Sequence, residues 1–166
     1  MPERVEPRVL GWGGYGTAMA DSVSTDIPGR SPAAPALARF GPGYAALIGL
    51  VALAILVQGV LAGVFVEPGA HAGALHAHSI NADVTLGLSL VAAIYALALL
   101  RTAAPSLVIG SIVLVCLLIA LIAIGHAITG SSDNNLTPIH VPLALLAFGL
   151  TIWLSVRTRS LRRSAA

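Results

Sequence analysis

The spacing of apolar and polar positions divides the chain into a polar opening of about 40 residues and four long apolar runs. The first run, GYAALIGLVALAILVQGVLAGVFV, covers residues 43 to 66 and is interrupted only by Gln58. The others cover roughly 80 to 100, then PSLVIGSIVLVCLLIALIAIGHA at 105 to 127, then roughly 140 to 156. Each is close to the length of about 20 residues that crosses a hydrocarbon core of about 30 Å. Backbone groups in lipid must be hydrogen-bonded within the chain, so the runs predict helices, and short connections make them antiparallel neighbours. The expected fold class is an all-α membrane protein, a four-transmembrane-helix antiparallel bundle over residues 41 to 158. A basic tail at 159 to 166 follows it.

Composition agrees with that pattern. Hydrophobic residues are 57% of the chain, charged residues 10%, and the mean hydropathy of +0.89 lies outside the range of soluble domains. The few charges are asymmetric. Arg30 and Arg39 precede the first run, Arg101 lies between the second and third, and Arg157, Arg159, Arg162 and Arg163 follow the fourth. The other two connections hold Glu67 and Asp133 and no arginine, and Asp83 lies early in the second run. The positive-inside rule then predicts cytoplasmic N- and C-termini in a multi-pass plasma-membrane protein. The net charge of +2 reflects that orientation, not nucleic-acid binding, because the arginines flank helices and no basic stripe interleaves with aromatics. None of the basic residues is lysine, a bias of high-GC genomes that fits a bacterial source.

Residues 1 to 40 are rich in Pro, Gly, Ala and Ser and lack a helical period, so they are expected to form a disordered cytoplasmic tail. A chain begun at Met19, an alternative start, or at Gly41 should on this reading insert and fold unchanged. The GWGGYG stretch at 11 to 16 has neither the preceding strand nor the following apolar helix of a phosphate-binding loop. The first apolar run is too long for a signal-peptide core and is followed by no small-residue cleavage site.

The polarity gathered in GALHAHSINADVTLGL, residues 73 to 88, calls for a reason. Shifting the chain by 62 residues aligns His78 with His140, Gly63 with Gly125, Ala82 with Ala144, and Gly87-Leu88 with Gly149-Leu150. Val51 and Leu56 also meet Val113 and Leu118. Leu and Val coincide easily in apolar helices, but the chain has only five histidines. The pattern is read as two repeated hairpins related by a pseudo-twofold axis along the membrane normal, with chance coincidence as the alternative. His78 and His140 would then face each other near the outer surface, His126 would lie at a similar level, and His71 and His76 would sit in the outer loop.

The segments LVQGVLAGVFV, LHAHSINADVTLGL, IALIAIGHAITG and LTPIHVPLALLAFGL together resemble one four-helix half of heme A synthase-type membrane proteins, and also small four-helix bacterial membrane proteins of unknown function. The resemblance covers roughly residues 45 to 157. It implies histidines at the outer ends of the second and fourth helices, here His78 and His140, able to ligate one heme b between them, with His126 a further cofactor-binding candidate. It departs from the family in having one half, not two, no paired cysteines in the first outer loop, no acidic residue on the turn before His78 and no arginine after it. Heme A synthase activity is therefore not expected.

Three readings of the histidine pair stand together. Neutral imidazoles ligate heme iron well, and Gly63, Ala82, Gly125 and Ala144 would leave room for a macrocycle. A divalent metal is the second reading, and boundary histidines bonded to carbonyls or water are the third. Heme propionates would find no outer arginine, only His71, His76 or His126. Asp83, five residues after His78, is rotated away from it on a helix, so His76 or His71 is the nearer partner for that ring. Gln58 is expected to make an interhelical hydrogen bond. Pro142 is placed in the first turn of the fourth helix, and Cys116 as a small packed residue. No nucleophile is paired with a base, so no catalytic constellation is expected. No ionisable residue falls at mid-membrane, which argues against transport. The function classes left are a heme-binding electron-transfer or heme-handling protein with a membrane redox partner, and a cofactor-free membrane scaffold or accessory subunit.

Overall fold

The computed structural model describes residues 33–66, 72–130 and 135–165. They form four α-helices in chain order: α1 Ala34–Phe65, α2 Ala72–Leu99, α3 Pro105–Gly130 and α4 Thr137–Ala165. No strand occurs among the described residues. All four helices are long and apolar enough to cross a membrane. The helices pack α1 on α2, α2 on α3, α3 on α4 and α4 on α1, a closed ring in which α1 lies diagonally from α3 and α2 from α4. At 1.5 Å per residue each helix is about 40 to 48 Å long, more than the hydrocarbon thickness. The start of α1, the end of α4 and the α2–α3 turn share one end, which carries all six described arginines. The described histidines, His76, His78, His126 and His140, are at the other.

The helices are longer at several ends than their apolar runs. α1 begins at Ala34, not after residue 40, and buries Ala34 and Leu37. Pro35 stands at its start, where a missing N–H has no helical partner to lose. This corrects the expectation of a disordered tail over 33 to 40; residues 1 to 32 lie outside the described residues. α2 starts at Ala72 instead of 80, taking in the polar stretch, and α4 runs through the basic tail to Ala165. Pro142 is consequently inside α4 and not in its first turn, where Pro138 stands; Pro42 is likewise inside α1. Pro105 opens α3, with Ala104 closing the turn through a hydrogen bond from the N–H of Leu107 to its carbonyl.

Small residues let the helices approach. A Cβ on Gly110 of α3 would lie 2.7 Å from a methyl of Leu154 and 3.1 Å from the Trp153 ring, so α3 and α4 meet where only glycine fits. The core, including Tyr44, Ile48, Ala92, Leu100, Leu107 and Leu154, lies toward the arginine end. Beyond Ala54, Thr85, Leu121 and Ala147, no described residue toward the histidine end is buried. Outward-facing apolar residues such as Val60, Ile94, Ile109 and Leu145 are more than 60% exposed.

The two hairpins share a burial pattern. On α2 the buried Thr85, Ser89, Ala92 and Ala96 stand 62 residues before the buried Ala147, Thr151, Leu154 and Thr158 of α4. On α1 and α3 that shift fails: Val51 is buried but Val113 is exposed, and Leu56 is exposed but Leu118 buried. A shift of 63 instead pairs the buried Tyr44, Ile48 and Val51 with Leu107, Ser111 and Leu114. One residue turns a helix by about 100°, so this single offset puts Val51 and Val113, and Leu56 and Leu118, on different faces.

Candidate functional site

The polar residues of α2 fall at positions 78, 81, 85 and 89, the spacing of three and four that keeps them on one face. That face turns inward: Thr85 and Ser89 are buried, His78 and Asn81 half-buried. Thr85 donates to the carbonyl of Asn81 at 2.7 Å and Ser89 to that of Thr85 at 2.7 Å, so both hydroxyls are satisfied inside their own helix. Asn81 reaches across. Its amide donates to the carbonyl of Ala54 at 2.9 Å and to Oε1 of Gln58 at 2.6 Å, both on α1. His78, one turn before Asn81, hydrogen-bonds to the backbone of the same Gln58.

His140 takes the corresponding place on α4. It is half-buried, and its Nδ1 is buried with no hydrogen-bond partner among the described residues. Its ring lies beside Gly125 of α3, where an added Cβ would stand 3.6 Å from Cε1. The Nδ1 of His78 is buried as well. α2 and α4 are diagonal in the ring, and His78 and His140, both half-buried, stand at the same end of it. They stand beyond the last buried layer toward the histidine end.

The other sequence candidates are not brought inside. His76 and His126 are exposed, Asp83 is exposed, and His71, Glu67 and Asp133 lie outside the described residues. Of the two rings expected to partner His78, His71 lies outside the described residues and His76 is exposed, because the i−2 position of a helix points to another face; the Gln58 backbone hydrogen-bonds the His78 ring instead. Gly63 has nothing within 4 Å of an added Cβ, so it does not repeat the contact of Gly125. Cys116 is exposed on α3 and not packed. Asn81 is the member sequence reasoning missed, and its spacing of three from His78 was the available signal. No group of three His, Cys, Asp or Glu side chains is assembled among the described residues.

No family model, curated protein or solved structure matches this chain. What the site can do has to be argued from its own residues.

Proposed function

We propose that the chain is a multi-pass plasma-membrane protein that holds a heme b between His78 and His140 near the outer face, for electron transfer or heme handling. The observation that carries this reading is the pair of half-buried histidines on diagonal helices, with a buried Nδ1 on His140 that no described protein group satisfies. A polar nitrogen left in an apolar interior is destabilising unless something bonds to it. Among the described residues a bare divalent ion would find two protein ligands here, whereas a porphyrin supplies four donors itself and would need only two imidazoles from the chain. The half-buried Ala82 and Ala144 and the bare Gly125 leave space beside the rings. With a single cysteine in the chain, attachment through paired thioethers is not available, which favours heme b.

The residues would divide the work as follows. His78 and His140 would hold the heme iron. The Gln58 backbone orients the His78 ring, and Asn81 holds Gln58 in place. His76 and His126, exposed at the same end, are the described groups able to offset propionate charge. Bound heme would supply one-electron chemistry at its iron. The shared burial of α2 and α4 at a spacing of 62 supports descent of the two hairpins from one. Gathering of all six described arginines at the terminal end supports cytoplasmic termini.

Protein purified from a heme-replete host should show a Soret band and sharp reduced-state visible bands of low-spin, six-coordinate iron. His78→Ala or His140→Ala should abolish the low-spin spectrum; His76→Ala and His126→Ala should keep it. Colourless protein that takes up no added hemin would end the heme reading. The pair would then be boundary histidines of a cofactor-free scaffold or accessory subunit, a role that the hydrogen bond of His78 to Gln58 also suits.

A further inference from the structure

At the opposite end, Arg159, Arg162 and Arg163 line a groove of about 420 Å³ together with Ala38 of α1 and Ala165. The three arginines fall at spacings of three and four, within one turn of α4, so like charges crowd one helix face. None of them has an ion-pair or hydrogen-bond partner among the described residues, whose one carboxylate side chain, Asp83, is at the other end. The negative end of the helix dipole offsets part of this repulsion. Arg162 is also fixed in position: a Cβ on the buried Gly41 would stand 2.8 Å from its Cδ and 3.0 Å from its Cγ, so its aliphatic stem lies on the bare backbone of α1.

We propose that this groove binds the phosphate of an anionic phospholipid. The inference rests on the membrane reading above and is independent of the heme. Charge complementarity favours an anion, and the wall below favours a lipid. Val156 and Ile152, both exposed, lie one and two turns before Arg159 on the same α4 face, toward the middle of the bundle. Acyl chains descending from a phosphate held by the arginines would run along them, over about 10 Å. A basic pocket between helix ends over an apolar flank is how membrane proteins take anionic headgroups. Residues 1 to 32 are a poorer occupant, because their four acids are nearly cancelled by three arginines.

The test uses the full chain, reconstituted in vesicles of phosphatidylcholine with an equal part of phosphatidylglycerol, released into detergent and weighed intact with its bound lipid. Phosphatidylglycerol should be retained preferentially, and the triple variant R159Q/R162Q/R163Q should lower that retention by about tenfold. R101Q, which removes an arginine at the same end but outside the groove, should leave it unchanged. Should the triple variant fold poorly by circular dichroism, Gly41→Ala provides a second route, since it displaces only the Arg162 stem and should also reduce retention. Four results would overturn the proposal: equal retention of both lipids, an equal loss in R101Q, displacement by inorganic phosphate alone, or a large gain when the chain begins at Ala33. The last would show that the N-terminal segment occupies the groove. Carbonate-resistant insertion is measured in parallel, so failure of the membrane reading registers there and overturns both.

Discussion

Among single side chains, the stretch from His78 to Ser89 puts polarity in an apolar helix to two uses. The hydroxyls of Thr85, Ser89, Thr151, Ser155 and Thr158 donate to carbonyls three or four residues back and so burden no neighbouring helix. Tyr44, Tyr95 and Asn81 instead join elements: Tyr44 shares a hydrogen bond with Ser111 at 2.7 Å across the α1–α3 diagonal, and Tyr95 donates to the carbonyl of Phe40 at 3.1 Å. Asn81→Ala removes two bonds to α1 and strands Oε1 of Gln58, which should lower stability by about 1 kcal/mol. Ser89→Ala removes a bond within one helix and should be nearly neutral. Thermal unfolding in detergent compares the two; equal shifts would mean that Asn81 does not clamp the first hairpin.

Helix ends are where local pattern and structure part. An apolar window detects the stretch that matches hydrocarbon, but a helix continues while its next turn finds backbone partners and something to pack on. The first turns of α1 find α4, whose Arg162 stem crosses Gly41, and bury Leu37 to 3% exposure. A chain begun at Ala33 should therefore be as stable as the full chain. One begun at Gly41 should lose about 2 kcal/mol, the burial of one leucine, a loss read from its unfolding midpoint. Unchanged stability in both would return residues 33 to 40 to the tail.

Over the whole molecule, packing is uneven. The large buried residues lie toward the arginine end, and toward the histidine end the inward residues are half-buried, the two histidines among them. The charges are as uneven, and they predict orientation. A reporter fused after Ala166 should register in the cytoplasm and one inserted at Ser132 outside it. Reversed signals would put the histidine pair on the inner face and the arginine groove on the outer, against the logic of both sites.

Composition and run length alone determined that the chain is four long apolar helices with the termini and arginines at one end, because transfer of apolar residues and charge placement are additive properties of local sequence. That His78 and His140 would stand at the same end was also legible, since five histidines make a coincidence at 62 residues visible. The partner of His78, the clamp by Asn81, the outward turn of His126 and the stem of Arg162 on Gly41 were decided only by tertiary structure. Each depends on which face of a helix meets which neighbour. A one-residue offset, such as that between the cores of the two hairpins, rotates that face by about 100° without changing any apolar run.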